Sequence, residues 1–76
     1  MLFRSVIAGS FLMENRAHNQ LSTLRAAGYE SAEIVRFPNS SFFSVCVGRF
    51  KTRREADVLE KQLEGANIDA FVRAVQ

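Results

Sequence analysis

Two stretches with hydrophobic residues at helical spacing alternate with short stretches that have strand character. Residues 3–10 are rich in aromatic and β-branched side chains, which predicts a strand. Residues 13–27 carry apolar side chains at every third or fourth position, and this spacing predicts a helix that Gly28 ends in the left-handed conformation. Residues 31–37 predict a second strand, and the Pro-Asn-Ser-Ser sequence after it is typical of a turn.

The same order of patterns returns later in the chain at an offset of 39 residues. Residues 3–11 align with residues 42–50, and Phe, Ser, Val, Gly and Phe match at five of these nine positions. The register continues through three further pairs: Ala17 with Ala56, Leu24 with Leu63, and Gly28 with Asn67. Two copies are too few for a solenoid, so the duplication predicts a pseudo-symmetric domain built from two strand–helix–strand units.

The second copy contains the same three elements. Residues 42–47 predict a strand, and Thr52 followed by Glu55 forms a capping box that predicts the start of a helix. Asn67 can adopt the left-handed conformation that Gly28 adopts in the first copy. Residues 69–75 predict the last strand.

These elements predict one α+β domain over residues 1–76, with repeat halves at about 3–37 and 42–75. The expected fold is βαββαβ, as in ferredoxin-like and RNP-like domains, with a four-stranded antiparallel sheet. Both helices are expected on one face of the sheet, because right-handed connections place them on the same side.

Alternation along the strands divides the residues between the two faces of the sheet. The helix side is expected to hold Val6, Ala8, Ala32, Ile34, Val45, Val47 and Phe71. The opposite side is expected to hold Phe3, Ser5, Ile7, Val35, Phe42, Ser44, Cys46, Val72 and Ala74. No further element is predicted to cover this second face, and an exposed apolar surface of this kind is typical of a binding site.

Composition narrows the class of protein without identifying a partner. The hydrophobic fraction of 47% and charged fraction of 24% indicate a globular chain, and the net charge of +2 is compatible with many partners. A single cysteine excludes an internal disulfide bond. No apolar run is long enough for a membrane helix and no signal peptide is evident, so we expect no membrane contact by the domain itself. The chain is compatible with a fragment of a longer, targeted protein.

Residues capable of catalysis or metal binding are too few and too scattered to form a site. The chain has one histidine, His18, within a polar helical stretch, and one cysteine, Cys46, with no histidine near it in the sequence. A nucleophile needs an oriented base and a zinc site needs several ligands, so neither is expected. Gly9 and Gly48 stand alone and do not form a phosphate-binding loop. We therefore predict a binding domain with no catalytic residue, metal or cofactor.

Four motifs together resemble the SPOR (sporulation-related repeat) domain family. They are Val-Ile-Ala-Gly-Ser-Phe at 6–11, Leu-Arg-Ala-Ala-Gly-Tyr at 24–29, Ser-Val-Cys-Val-Gly-Arg-Phe at 44–50 and Asn-Ile-Asp-Ala-Phe-Val at 67–72. The resemblance implies a βαββαβ fold and binding to peptidoglycan glycan strands stripped of their peptides. It also implies a place in the bacterial cell envelope, on the periplasmic or cell-wall side, where the domain directs a larger protein to the division septum.

The resemblance further implies a glycan-binding site on the open face of the sheet. Carried over by position, this site comprises Ile7, Ser10, Phe42, Ser44 and Val72. The family usually has glutamine where this chain has Ile7, and often Trp or Tyr where this chain has Phe42. Both differences remove polar groups, so the site is expected to be drier than the family pattern.

The residue types on this face are also suited to a sugar. An aromatic ring can cover the C–H face of a pyranose, while short hydroxyl groups meet its edge. The ring candidates are Phe3 and Phe42, and the hydroxyl candidates are Ser5, Ser10 and Ser44. Stripped muramic acid exposes a carboxylate, and an arginine can bind it through charge-assisted hydrogen bonds. The candidates for this role are Arg4, Arg36, Arg49 and Arg73.

Two alternatives use the same open face. The first is a protein-interaction module, including a homodimer formed through the sheet. The second is RNA binding, since the RNA-recognition motif shares this topology and stacks bases on its sheet. Residues 42–47 lack the basic and glycine–aromatic pattern of that motif, and the net charge is low for binding phosphates. We therefore expect no nucleic acid partner.

Overall fold

The six elements follow the predicted order along the chain. The computed structural model describes residues 3–75, and residues 1, 2 and 76 of the predicted domain lie outside this range. The elements are β1 (Phe3–Phe11), α1 (Glu14–Ala26), β2 (Glu33–Val35), β3 (Phe43–Phe50), α2 (Arg53–Gly65) and β4 (Phe71–Val75).

The four strands form one antiparallel sheet in the order β2-β3-β1-β4. The two helices pack on one face, and the shortest dimension of the molecule, 17 Å, corresponds to these two layers. Ten buried residues form the core between the layers: Val6, Ala8, Ala17, Leu21, Leu24, Ala32, Val45, Val47, Ala56 and Leu63. The predicted α+β fold with both helices on one face is confirmed.

The repeat is visible in the backbone as well as in the sequence. Each helix has 13 residues, and the start and end of α2 lie 39 positions after those of α1. Each ends in a Schellman motif, in which the second residue after the helix cap bonds back to a core leucine. The Tyr29 amide donates to the Leu24 carbonyl at 3.0 Å, and the Ile68 amide donates to the Leu63 carbonyl at 2.9 Å.

The residues predicted to end the helices adopt the conformation expected of them. Gly28 has φ of 103° and Asn67 has φ of 62°, both in the left-handed region. The helix starts differ between the copies. The Thr52 hydroxyl accepts a hydrogen bond from the Glu55 amide at 3.3 Å, whereas the N-cap residue of α1, Met13, provides no side-chain cap.

β2 and β4 are shorter than predicted, and at both ends of β2 a local turn hydrogen bond takes the place of the ladder. β2 covers only 33–35 of the predicted 31–37. At its start, the Ala32 amide donates to the Tyr29 carbonyl and the Ser31 hydroxyl donates to the Val47 carbonyl. At its end the chain enters a turn, closed by a hydrogen bond at 3.2 Å from the Ser40 amide to the Phe37 carbonyl. β4 begins at Phe71 rather than at residue 69.

The predicted faces of three β4 residues, Phe71, Val72 and Ala74, are reversed in the structure, and Ala74 shares the face of Val72 two positions before it. Val72 lies opposite Val6 and Phe71 lies opposite Ile7. Residues directly opposite each other in an antiparallel pair share a face, so Val72 faces the helices and Phe71 faces away from them. Val72 packs against the core, whereas Phe71 is 47% exposed. The prediction failed because alternation orders the residues within a strand, but the pairing with β1 decides which set points inward.

A bulge in β1 brings Ser10 onto the face away from the helices. Between the pairs Ile7–Cys46 and Ser10–Ser44, β1 advances three residues while β3 advances two. The extra residue in β1 reverses the alternation, so Ser10 lies on the same face as Ile7. Gly9 lies within the bulge with φ of 116°, a value that residues with a Cβ rarely adopt.

Candidate binding site

The face of the sheet opposite the helices is not open, contrary to the prediction. Its central residues are almost fully buried, with exposed fractions of 3% for Ser5, 0% for Ile7, 3% for Ser44 and 2% for Cys46. None of them belongs to the core cluster beneath the helices. A second layer of side chains must therefore lie over the centre of this face.

The segment between β2 and β3 provides this layer. Residues 36–41, named here the cover, leave β2 at one edge of the sheet. The Phe37 ring lies 4.1 Å from Cζ of Arg73. Arg73 belongs to β4 at the opposite edge and is paired with Ser5, so it lies on the face away from the helices. Because β3 and β1 separate β2 from β4, a contact between Phe37 and Arg73 extends across this face.

A cleft of about 380 Å³ lies between the cover and the sheet. Its lining comprises Phe3, Ser5, Val35, Arg36, Phe37, Pro38 and Arg49. Arg49 donates a hydrogen bond to the Glu33 carboxylate at 3.0 Å, and both side chains are about half exposed. The cleft thus has aromatic and aliphatic walls, one serine and two arginines.

Three residues on the same face remain exposed around the buried centre. Phe42 is 44% exposed and immediately precedes β3, where continued alternation from Ser44 would place it on this face. Ser10 is exposed, and its hydroxyl oxygen lies 3.0 Å from that of Ser44. Phe71 is the third. From the strand pairing and the usual spacing of strands and residues, its Cα lies about 16 Å from that of Phe42, and Ser10 lies between them. Two aromatic rings on either side of a hydroxyl group could hold a flat, hydroxylated ligand.

Several predicted site residues do not lie at this surface. Ile7 is fully buried, and Val72 faces the helices. Arg4 is paired with Phe50, which packs against the core, so Arg4 lies on the helix side of β1. Arg36 lines the cleft, but its Cζ lies 4.6 Å from the centre of the Phe43 ring.

Of the nine predicted residues, Phe3 and Ser5 line the cleft, as does Arg36. Ser10 and Phe42 lie at the exposed surface, and Ser44 contacts Ser10 from a buried position. The sequence reasoning did not identify Phe37 or Phe71 as part of this face. Continuing the alternation past Val35 would have placed Phe37 on this face. The face of Phe71 could be found only from the register in which β4 pairs with β1.

Other parts of the described chain offer no competing chemistry. Within residues 3–75, no group of three or more His, Cys, Asp or Glu residues could hold a metal ion. Neither 13-residue helix is long and apolar enough to cross a membrane. A depression of about 520 Å³ lies beside residues 46–50 of β3, where the pairing with β2 ends, next to residues 28–31. Its charged residues include the mutually paired Arg49 and Glu33.

The fold has a close counterpart among solved structures. The solution structure of the peptidoglycan binding domain of the B. subtilis cell wall lytic enzyme CwlC aligns with a TM-score of 0.78. The alignment covers 100% of this chain and 92% of that chain at 22% sequence identity, which shows a shared fold. The matched chain is the peptidoglycan binding domain of that lytic enzyme.

The sequence itself carries a family signature. No curated protein sequence matches the chain at a significant level. The family model described as the SPOR domain matches residues 4–74, which include all six helices and strands of the structure except the outermost residues of β1 and β4. The chain therefore belongs to the SPOR domain family.

Proposed function

We propose that this domain binds peptidoglycan, and specifically glycan strands that lack stem peptides, through the sheet face opposite the helices. The observation that carries the proposal is the arrangement of exposed Ser10 between exposed Phe42 and Phe71 on that face. Membership in the SPOR family and the fold shared with the peptidoglycan binding domain of CwlC support it.

The exposed residues suggest how a glycan strand is held. The rings of Phe42 and Phe71 cover the C–H faces of sugars, and the Ser10 hydroxyl bonds to a hydroxyl group between them. Phe71, and not the predicted Val72, is the β4 residue of this proposed site. The cleft extends the surface with Phe3 and a guanidinium group, that of Arg49.

The charge of the cleft suggests why stripped strands are preferred. Removal of the stem peptide leaves a free carboxylate on muramic acid, and a guanidinium group binds a carboxylate through paired hydrogen bonds. Arg49 already donates to Glu33, and both are exposed, so exchange of one carboxylate for another costs little. An intact peptide would replace this charge with an amide.

A domain with this specificity would act as a targeting module. In this role the domain would direct a larger protein to the cell envelope, on the periplasmic or cell-wall side, and to the division septum. This targeting role rests on the proposed ligand alone, and no residue outside the binding face is needed for it.

A sedimentation assay with purified sacculi tests the proposal. The domain is expected to pellet with amidase-treated sacculi and to remain in solution with untreated sacculi. Phe42→Ala should weaken binding about fivefold, because burying the exposed 44% of a phenylalanine contributes about 1 kcal/mol. Val58→Ala is the control, since Val58 is 56% exposed on α2, on the other side of the molecule.

Two results would contradict the proposal. Equal pelleting with treated and untreated sacculi would exclude specificity for stripped strands. Absence of pelleting, together with a mass that rises with concentration in light scattering, would show instead that this face joins two copies of the domain.

A further inference from the structure

The cover hides residues that the rest of the fold leaves accessible. Ile7 and Cys46 lie opposite each other on neighbouring strands, facing away from the helices. Their burial to 2% or less arises outside the core cluster, on the side where the cover lies. Removing the cover would therefore expose the centre of the sheet while the helix side stays packed.

The hydrogen bonds of the cover are local. The Ser40 amide donates to the Phe37 carbonyl at 3.2 Å, and the Phe42 amide donates to the Ser40 hydroxyl at 3.2 Å. In the part of the chain from 3 to 75, no hydrogen bond joins residues 36–41 to β1 or β4. The contact that reaches β4 is the stacking of Arg73 on Phe37.

The tip of the cover is a preformed turn. Pro38 and Asn39 occupy its central positions, and Asn39 has φ of 63°. Proline at the first central position and a residue with positive φ at the second are the features of a type II turn. The hydrogen bond of this turn lies within the cover, so the tip can move as one unit when the flanking residues rotate.

The space beneath the cover is not fully packed. The cleft of about 380 Å³ separates Phe37 and Pro38 from Ser5 and Phe3. The cover thus contacts the sheet around a cleft, whereas the residues on the helix side form a continuous buried cluster. Opening the cover leaves that buried cluster in place.

We propose that the cover opens while the rest of the domain stays folded, and that Arg73 stacked on Phe37 holds it closed. The open form exposes Ser5, Ile7, Ser44 and Cys46 and enlarges the binding face. The opening is a property of the free domain, whereas its effect on glycan binding depends on the proposed function above.

The chain contains a natural reporter for this opening. Cys46 is the one cysteine of the sequence, and it is 2% exposed and paired with Ile7 on the face where the cover lies. If the cover buries it, a neutral alkylating reagent such as iodoacetamide reaches its thiol when the cover opens or the domain unfolds. Labelling followed by mass spectrometry therefore measures the open fraction without any ligand.

The expected result separates local opening from unfolding. In the wild-type domain, labelling should depend only weakly on urea at low concentrations, because local opening exposes little surface. Arg73→Ala and Phe37→Ala should each accelerate labelling about 2- to 5-fold, the range that corresponds to loss of one cation–π contact at an exposed site. Arg54→Ala, on the exposed side of α2, should leave the rate unchanged.

Other results would overturn the inference. Labelling of Arg73→Ala at the wild-type rate would show that the stacking does not hold the cover. A wild-type labelling rate with the urea dependence of global unfolding would show that the cover does not open separately. Circular dichroism of each variant establishes that it is folded.

The same variants test the link to glycan. If the closed cover excludes glycan, the apparent affinity for amidase-treated sacculi should rise by the factor measured in labelling, because affinity scales with the open fraction. Faster labelling with unchanged or weaker pelleting would show that the cover does not control the access of glycan to the sheet. The proposal that the domain binds peptidoglycan would still stand. Failure of the wild-type domain to pellet would refute the proposed function, and the labelling rates would still decide whether the cover opens.

Discussion

Replacing Gly9 by alanine should destabilise the domain more than any other glycine-to-alanine substitution at a position of positive φ. Gly9 lies in the β1 bulge with φ of 116°, and a Cβ atom there would lie 2.8 Å from Cε2 of Phe11. The Phe11 ring packs against the core, so it cannot move away freely. The substitution thus combines an unfavourable backbone conformation with a steric clash.

The magnitude follows from these two causes. A residue with a Cβ in a sparsely populated backbone region costs about 1–3 kcal/mol. Overpacking against a core side chain costs about 1–3 kcal/mol more. A domain of 76 residues is expected to have a free energy of unfolding of about 4–11 kcal/mol. A loss of about 3–4 kcal/mol is therefore expected, which leaves the variant folded at low temperature but close to its limit.

Substitutions at two other glycines distinguish the effect of the backbone conformation from that of the steric clash. Gly28 has φ of 103°, but no atom lies within 4 Å of the Cβ position, so Gly28→Ala should cost only the backbone part, about 1–2 kcal/mol. Gly65 lies at the end of α2, also with open space around it and without a positive φ. Gly65→Ala should stabilise the domain by about 0.5–1 kcal/mol, because alanine is the better helix former.

Urea unfolding followed by circular dichroism measures all three variants. With a slope of about 1 kcal/mol per molar urea, the Gly9→Ala midpoint should fall by about 3 M. The reasoning is refuted if Gly9→Ala loses no more free energy of unfolding than Gly28→Ala. That outcome would mean that the bulge relaxes when a Cβ is added.

The repeat supports further predictions, each measurable by the same unfolding assay. Leu24→Ala and Leu63→Ala should each lose about 2–5 kcal/mol and agree within about 1 kcal/mol, since both leucines are fully buried at equivalent positions; a larger difference would show that the two halves pack differently. Thr52→Ala should lose about 1 kcal/mol because the α2 cap to Glu55 is removed. Met13→Thr should gain about 0.5–1 kcal/mol by giving α1 the cap it lacks, and a loss would contradict this account of the helix starts.

The helices and their ends could be predicted because the interactions that set them are local. Gly28 and Asn67 end the helices where the sequence indicated, since each satisfies carbonyl groups only a few residues away. Thr52 likewise caps α2 through the amide of a residue three positions later. The residues of β1 and β3 that were assigned to the helix side, among them Val6 and Val45, belong to the core as predicted.

The candidate site was predicted only in part. Ser10 and Phe42 lie at the exposed surface as expected, and Phe3 and Ser5 line a cleft rather than an open platform. Phe71 was assigned to the wrong face, because both residues of the Phe71–Val72 pair are apolar and the sequence offers no contrast between them. The pairing of β4 with β1, far apart in the chain, decided between them.

The sequence by itself determined the two repeats, the order of helices and strands, and the conformations at the helix ends, all through contacts between residues close in the chain. Only the tertiary structure decided the face of β4 and the position of the cover. The contact of Phe37 with Arg73 joins residues 36 positions apart across four strands. No local pattern encodes such a contact, because it depends on the strand order and register that the folded sheet establishes.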